Sequence, residues 1–337
     1  MTRVAAVDCG TNSLRLLVAD VEPGRGGVGG RLTDVARLME IVRLGQGVDR
    51  TGRIAPQALG RTFETLRRYA EIIETAGAVG VRMVATSATR DAANAGEFTR
   101  GVRSLLGIDP EVISGDEEAA LSFAGATAEL AETGPPGPCL VVDIGGGSTE
   151  FVLGPHQRDG RGASAGRIAA AVSMDIGCVR MTERHLHSDP PTPAEIVGAT
   201  ADIDAALDVA AVKLPDADAA TLVGLAGSVT TVAGIALGLP SYDAARIHHA
   251  RIPAAQVHEV CAQLLASSHA ERAAIGVMHP GRVDVIGAGA LILDRIVTRF
   301  GFTDVLVSEH DILDGIAWSL VPYRDFDRRA EADGPPP

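Results

Sequence analysis

The apolar positions near the N-terminus form two short runs around a turn, and this pattern recurs later in the chain. Residues 4–18 read VAAVDCGTNSLRLLV, and residues 140–153 read LVVDIGGGSTEFVL. In each copy an apolar run leads into a turn that contains glycine and hydroxyl residues, and a second apolar run follows. The pattern predicts two β-hairpins whose turns carry functional groups. Similarity over this distance is typical of duplication, so we expect two related domains that face each other.

The segments after each hairpin continue in the same order. In the first half, apolar residues recur at helical spacing between Leu59 and Ile73, and short apolar runs flank that helix. The predicted order is βββαβαβα, with the later elements over 37–44, 59–73, 81–85, 94–106, 111–114 and 117–130. The second half is looser, with strands over 140–143, 151–153, 170–176, 222–225 and 305–307 and helical patterns around 179–186, 194–212, 230–237, 257–265, 284–299 and 311–320. The sequence therefore predicts a duplicated α/β fold.

These elements divide the chain into two predicted domains. The first covers residues 1–133 and the second residues 134–304, because the stretch GPPGPC at 134–139 is typical of a linker. The last strand and helix, within 305–325, are expected to return to the first domain. Residues 326–337 include EADGPPP and predict a disordered tail.

Charge and composition exclude several classes of function. The 337 residues carry a net charge of −13 and only 3% aromatic side chains, which argues against a nucleic-acid partner. Lys213 is the single lysine, so the chain has no Walker A loop, kinase lysine or Schiff-base lysine. No apolar run is long enough to cross a membrane, and the N-terminus lacks an apolar signal stretch. We therefore expect a cytoplasmic protein without a membrane partner.

The turn DIGGGSTE carries the most informative chemistry. It sets three glycines and two hydroxyl residues between two acids, in the order Asp143, Gly145, Gly146, Gly147, Ser148, Thr149 and Glu150. Glycine amides can approach an anion closely and form a nest, and the two hydroxyl groups add donors, so this turn is predicted to bind phosphate. The two acids would repel phosphate. They suit Mg²⁺ or water instead, since Mg²⁺ favours one or two carboxylates together with phosphate oxygens.

The turn DCGTNS contains one glycine, so it is the weaker of the two candidate phosphate-binding turns. Thr11, Asn12 and Ser13 can all donate hydrogen bonds to phosphate. Asp8 aligns with the first acid of the other turn, which makes it a further candidate Mg²⁺ ligand. Arg15 points to the same side of its strand as Ser13 and is predicted to neutralise phosphate bidentately. An ordinary surface arginine is the alternative at this position.

Five motifs in one order resemble a known family. The motifs DCGTNS, ATSATRDAAN, ISGDEEA, DIGGGSTE and VSEHDILDGI are similar to those of the exopolyphosphatase and guanosine pentaphosphate phosphatase family, within the superfamily of acetate and sugar kinases, heat-shock chaperones and actin. The resemblance extends from Val4 to about Leu320. It implies an α/β fold of two ribonuclease H-like (actin-type ATPase) domains around a cleft. It also implies release of terminal phosphate from inorganic polyphosphate, guanosine pentaphosphate or both, and a homodimer.

Two further segments supply candidate catalytic groups. ISGDEEA crowds three acids into 116–118, and by spacing alone these favour a general base and a solvated helix N-terminus equally. The resemblance implies that Glu118 activates the attacking water. Arg90 follows a buried strand in ATSATRDAAN, and the resemblance implies that it lies at the phosphate cleft. An arginine that merely begins a helix is the alternative for Arg90.

The stretch GLAGSVTTVAG at 224–234 resembles the nucleotide-side glycine turn of the superfamily. In that interpretation Gly224, Gly227 and Ser228 face the cleft. The stretch contains fewer glycines than is usual in the superfamily, so a strand-to-helix turn made for packing is an equal alternative.

The predicted mechanism is hydrolysis of a terminal phosphoanhydride. The two turns hold the terminal phosphates, Mg²⁺ is bound by Asp143, Glu150 and Asp8, and Glu118 deprotonates water. Two alternatives stay open, namely an ATP-dependent small-molecule kinase and a non-catalytic nucleotide-sensing switch.

The acidic net charge disfavours long polyanions, so binding would depend on local arginines, with Arg50, Arg53 and Arg180 as further candidates. Longer members of the resembled family carry an additional C-terminal helical domain, which would be a binding surface for long chains, and this sequence is expected to stop before it. We therefore expect a preference for shorter polyphosphates.

Overall fold

The first β-sheet is built from the N-terminal third of the chain. In the computed structural model, which describes residues 1–23, 30–133, 137–155, 168–215, 217 and 220–321, its strands are β1 (Thr2–Cys9), β2 (Ser13–Pro23), β3 (Gly30–Ile41), β4 (Gly80–Ala85) and β5 (Glu111–Val112). Their order is β3-β2-β1-β4-β5, with the first three antiparallel and β4 and β5 parallel to β1. The helices are α1 (Val48–Thr51), α2 (Pro56–Ala76), α3 (Ser87–Arg90), α4 (Ala95–Leu106) and α5 (Gly115–Thr133).

The second sheet repeats this topology. Its strands are β6 (Pro138–Ile144), β7 (Thr149–Pro155), β8 (Ala170–Met174), β9 (Thr221–Leu225), β10 (Arg251–Pro253) and β11 (Asp304–Val307). The order is β10-β11-β9-β6-β7-β8, so five of the strands reproduce the first sheet and β10 extends the edge. The helices are α6 (Cys178–His185), α7 (Pro193–Lys213), α8 (Ala226–Ala236), α9 (Ala244–Ile247), α10 (Ala254–Ala266), α11 (His269–Ala273), α12 (Ile286–Phe300) and α13 (Ile312–Ser319). The predicted duplicated α/β fold with two ribonuclease H-like halves is confirmed.

Two predicted element boundaries are wrong. The third strand was expected over 37–44 but runs from Gly30 to Ile41, because it is a largely exposed edge strand whose sequence carries little apolar periodicity. The helix expected from Thr230 begins at Ala226, directly after β9, and Ala226 itself takes a positive φ of 65°. The glycine-containing segment that suggested an open turn is therefore the first turn of α8.

The helices that follow the last strand of each sheet are exchanged between the halves. Helix α5 buries Phe123 and Leu130 against Val141 and Val152 of the second sheet. Helix α13 instead packs on the first sheet, where Ile316 joins a core with strand residues of β1, β2 and β4. Strand β11, which precedes α13, stays in the second sheet. The strand and helix that were expected to return together thus lie on different sheets.

The predicted domain limits stay predictions. Residues 134–136 of the predicted linker, 322–325 of the last segment and the tail 326–337 lie outside the described residues. None of the helices in the described part of the chain is both long enough and apolar enough to cross a membrane.

Helices α5 and α13 cross with their backbones in contact. A Cβ on Gly315 would lie 2.0 Å from the carbonyl oxygen of Leu121, and a Cβ on Gly125 would lie 1.8 Å from that of Asp311. Neither obstacle is a flexible side chain. A methyl group at either position therefore requires the two helices to move apart.

Gly315→Ala is expected to lower the free energy of unfolding by about 1–3 kcal/mol through overpacking. The matched control is Gly60→Ala in α2, where a Cβ would meet nothing within 4 Å. There the higher helix propensity of alanine should raise the free energy of unfolding by up to about 1 kcal/mol. Urea unfolding of both variants measures the two shifts, and equal shifts of the same sign would contradict the crossing geometry.

Candidate active site

The two predicted hairpin turns have the same geometry and touch each other. The amide of Gly10 donates to Ser13 O at 3.0 Å, and the amide of Gly145 donates to Ser148 O at 3.0 Å. A Cβ on Gly146 would lie 2.9 Å from Thr11 Cβ. The glycines therefore have a role that the sequence did not indicate, which is to let one turn pack on the other. We call residues 10–13 the first loop and 145–148 the second loop.

The carbonyl groups of the second loop are turned toward α6. Gly145 O accepts from Cys178 N at 3.0 Å, and Gly146 O accepts from Val179 N at 2.8 Å and from Arg180 N at 3.1 Å. Because the C=O and N–H of a trans peptide point in opposite directions, the following amides face away from α6. Successive amides on one side form an anion nest. This orientation supports the predicted phosphate-binding role of the loop.

A cavity of about 530 Å³ lies between the two sheets and contains most of the predicted site. The predicted residues that line it are Asp8, Thr11, Asn12, Ser13, Arg15, Glu118, Asp143, Gly145, Gly146, Ser148, Gly227 and Ser228. The predicted residues that do not line it are Arg90, Gly147, Thr149, Glu150 and Gly224, together with the further candidate arginines Arg50, Arg53 and Arg180. The structure thus brings both loops and the candidate base to one space.

Three of these outlying residues have other contacts. The hydroxyl of Thr149 donates to Ile176 O, so it is not available to a ligand. A Cβ on Gly147 would lie 2.5 Å from Ser87 Oγ, which places this glycine against the first half of the chain. Gly224 packs under Val229, where a Cβ would lie 2.7 Å from a methyl group. For Gly224 the packing interpretation is therefore correct, and the expectation that it faces the cleft is wrong.

The carboxyl groups of the site are buried and easily protonated. The pKa of Asp8 is raised to about 7, mainly by burial and also by the nearby carboxylates of Asp311 and Asp143, against the lowering effect of Arg15. Burial likewise raises the pKa of Asp143 to about 6 and that of Glu150 to about 8. A group of buried acids with raised pKa values favours the binding of a cation.

The candidate base Glu118 is 8% exposed and begins the buried face of α5. Burial raises the pKa of Glu118 well above its usual range, the carboxylate of Glu150 raises it further, and Arg90 opposes both. Arg90 Nη1 lies 3.3 Å from Glu118 Oε2 and donates to Ile113 O at 2.9 Å. In this structure Arg90 therefore faces the candidate base, and its contact with phosphate stays a prediction.

The carboxylates partly fit a Mg²⁺ ion. Asp8 Oδ1 is buried without a hydrogen-bond partner, while Asp143 Oδ2 accepts from Ser122 Oγ at 2.7 Å. Glu150 Oε1 accepts from Ser173 Oγ at 2.7 Å and does not face the cavity. Within the described residues no three Asp, Glu, His or Cys side chains form a metal-binding group. Two carboxylates with phosphate oxygens and water satisfy Mg²⁺, so Asp8 and Asp143 are the fitting pair.

Asp311 lines the cavity, although the sequence did not single it out within the motif VSEHDILDGI. Its Oδ1 accepts from Leu313 N at 3.0 Å and caps α13, while its Oδ2 accepts from Arg15. Arg15 also lies 3.8 Å from Asp8 Oδ2. The spacing D-x-x-D in VSEHDILDGI signals a helix cap, but nothing in it signals the pairing with Arg15 across 296 positions.

Arg282 is a second residue that the sequence did not single out. Its guanidinium packs over Gly227, where a Cβ would lie 1.8 Å from Arg282 Cζ, and Nη1 donates to Gly227 O at 3.1 Å. Burial lowers the pKa of Arg282. Together with Arg15 and Arg37 it is one of three arginines that line the cavity. The space at Gly227 that was expected to take a nucleotide is filled by this side chain.

The two ribonuclease H-like halves enclose both predicted phosphate loops and a buried carboxylate, an arrangement that supports the prediction of an enzyme that acts on phosphate. Comparison with known proteins supports the same class of protein. The chain belongs to the Ppx/GppA phosphatase family, whose profile matches residues 17–324. The predicted family and the prediction of an enzyme are thereby confirmed.

Individual relatives are similar over nearly the whole chain. Exopolyphosphatase 2 of Mycobacterium tuberculosis is 50% identical over 95% of this chain and 99% of its own. The crystal structure of an exopolyphosphatase-like protein superimposes with a TM-score of 0.87 at 42% identity and covers 94% of this chain and 97% of that one. The Aquifex aeolicus PPX-GPPA enzyme superimposes with a TM-score of 0.75 at 29% identity and covers 94% and 99%.

Proposed function

We propose that this chain is a Mg²⁺-dependent phosphohydrolase that releases terminal phosphate from inorganic polyphosphate, guanosine pentaphosphate or both. The observation that carries the proposal is the placement of Glu118, a buried carboxylate on the wall of the same cavity as both phosphate loops. The name of the relative from M. tuberculosis, Exopolyphosphatase 2, supports polyphosphate as the substrate.

In the proposed reaction Glu118 accepts a proton from water. The water oxygen forms a bond to the terminal phosphorus, the bridging P–O bond breaks, and the shortened chain leaves with that electron pair. The amides of the second loop hold the charge that develops on the terminal phosphate. When Mg²⁺ is bound by Asp8 and Asp143, it neutralises charge on the phosphate oxygens.

The arginines of the cavity support a short anionic substrate. Arg15 is paired with Asp311, and Arg37 is paired with Asp314 at 2.5 Å. Among the described residues the Arg282 guanidinium donates to the carbonyl of Gly227 and has no carboxylate partner. Arg282 therefore suits a phosphate group of the substrate. The whole chain carries a net charge of −13, which repels a polyanion long enough to extend outside the cavity. We infer a preference for short chains.

A panel of substrates tests the proposal. Phosphate release with Mg²⁺ is measured from short polyphosphate, long polyphosphate, guanosine pentaphosphate and ATP. The largest kcat/KM is expected for short polyphosphate or guanosine pentaphosphate. Release from ATP alone would contradict the proposal, and a preference for long polyphosphate would contradict the inferred chain length.

The contact between Arg90 and Glu118 predicts a change in pH dependence. Only ionised Glu118 can accept a proton, so kcat/KM rises as the pH passes its pKa. Because Arg90 lowers that pKa, Arg90→Ala is expected to move the acidic limb of the pH profile to higher pH. Arg82→Ala is the matched control, since Arg82 lies 2.8 Å from a carboxylate oxygen of the neighbouring Glu117. An equal shift in both variants would argue against the contact.

A further inference from the structure

The side chain of Arg180 joins three separate segments. Nε donates to Gly147 O in the second loop at 2.7 Å. Nη1 donates to Asp49 at 2.5 Å and Nη2 donates to Asp91 at 2.6 Å. The side chain is 11% exposed. Its guanidinium is therefore engaged with the protein on both edges, and the expectation that Arg180 binds substrate phosphate is not supported by this geometry.

The bond to Gly147 O completes a row of oriented peptides. The carbonyl groups of Gly145 and Gly146 are held by backbone amides of α6, and that of Gly147 is held by the Arg180 side chain. Fixing this carbonyl turns the amide of Ser148 to the opposite side, because both belong to one planar peptide. The third amide of the anion nest therefore depends on a side chain.

The two carboxylates that accept hydrogen bonds from Arg180 belong to the first half of the chain, while Asp175 of the second half lies further away, with its Oδ1 3.9 Å from Nη2. Asp49 lies in α1, and Asp91 directly follows Arg90. Arg90 in turn lies 3.3 Å from the carboxylate of Glu118. Arg180 thus connects the peptide that presents Ser148 N–H to the segment that contacts the candidate base.

We propose that Arg180 is a positioning residue for phosphoanhydride hydrolysis. It holds the Gly147–Ser148 peptide with its amide toward the terminal phosphate, and it sets the distance between the second loop and the segment that carries Arg90. The proposal rests on the proposed function for its catalytic meaning. The orientation of the loop can also be tested by anion binding alone.

Arg184 offers a matched control on the same helix. It lies one turn further along α6 and donates to Asp49 at 2.8 and 2.9 Å, as well as to Asp202. Unlike Arg180, it has no hydrogen bond with the second loop among the described contacts. Arg180→Ala and Arg184→Ala each remove a cation beside Asp49, and only the first releases Gly147 O.

The experiment compares wild type, Arg180→Ala, Arg180→Lys and Arg184→Ala. We expect Arg180→Ala to lower kcat on short polyphosphate by about 10²-fold, the cost of removing one oriented donor to a developing charge. Arg180→Lys should remain impaired, since an ammonium cannot reproduce the planar fork. Arg184→Ala should keep kcat within about threefold, as expected for an exposed ion pair. The melting temperatures of the two alanine variants should agree.

Binding of inorganic triphosphate, measured by calorimetry with a chelator in place of Mg²⁺ so that the proposed hydrolysis does not proceed, separates the two proposals. If wild type hydrolyses no substrate but binds triphosphate, and Arg180→Ala alone weakens that binding, the proposed function fails and the role of Arg180 stands. If the two alanine variants match in both kcat and triphosphate affinity, the role of Arg180 is overturned. Full activity in Arg180→Lys would overturn the requirement for the planar fork.

Discussion

Glu118→Gln is expected to lower kcat by about 10²–10⁴-fold on the best substrate, the range that a general base contributes. Glutamine keeps the size of the side chain and its ability to pair with Arg90 through its oxygen, but it cannot take a proton from water. Because the phosphate loops are unchanged, KM should change little. Steady-state kinetics on purified variants with matching melting temperatures measures both quantities.

The neighbouring acid provides the control for this substitution. Glu117 is exposed, and its Oε1 lies 2.8 Å from Arg82 Nη2, outside the cavity. Glu117→Gln should therefore keep kcat close to that of the wild type. Equal losses in the two variants would mean that the acidic helix start, rather than one positioned base, is what the reaction needs.

Asp8→Asn is expected to lower activity by at least about 10²-fold while it makes the metal-free protein more stable. The loss of activity follows because an amide oxygen holds Mg²⁺ less well than a carboxylate does, so charge on the phosphate oxygens is left uncompensated. The gain in stability follows because the pKa of Asp8 is raised from 3.8 in the unfolded chain to about 7, mainly by burial.

The pH dependence of that stability has a definite sign. A carboxyl group with a raised pKa is neutral in both states below its unfolded value, and its ionisation destabilises the fold as the pH rises through the folded value. In the presence of a chelator, Asp8→Asn should therefore melt at a higher temperature than wild type at about pH 8, and the difference should shrink as the pH falls and vanish at about pH 3, below the unfolded pKa.

Asp20→Asn serves as the comparison. The hydrogen bond from Arg3 is the main reason that the pKa of Asp20 lies below its usual value, so this substitution should lower stability at neutral pH. Activity should be retained, because Asp20 does not line the cavity. A loss of stability in Asp8→Asn without metal would contradict the account of the buried acid cluster.

The parts of the site that the sequence predicted are those carried by local motifs. Both loops could be found because a strand, a glycine-containing turn and a second strand are adjacent in the chain, and the repeat between Asp8 and Asp143 indicated that the loops are related. The βββαβαβα order could be predicted from the spacing of apolar residues, because each strand and each helix is one continuous stretch of the chain. Glu118 lines the cavity, but the sequence singled it out only through the resemblance, and its role as the base stays a prediction.

The parts that the sequence missed depend on contacts between distant segments. Asp311 reaches Arg15 only because α13 packs on the first sheet, and no local pattern indicates which sheet a terminal helix covers. Arg282 enters the cavity because Gly227 leaves room for its guanidinium. Arg180 is a candidate substrate ligand by sequence alone, because the sequence cannot show that Asp49 and Asp91 pair with its guanidinium.

The most direct test of the proposed hydrolysis follows the terminal phosphate itself. Short polyphosphate carrying a radioactive label on its terminal phosphate is incubated with Mg²⁺ and either the wild type or Glu118→Gln. The account predicts that the label appears as free orthophosphate with the wild type and that its release falls by at least about 10²-fold with Glu118→Gln. Label found on the protein or on another acceptor, or release that is indifferent to Glu118, would contradict it.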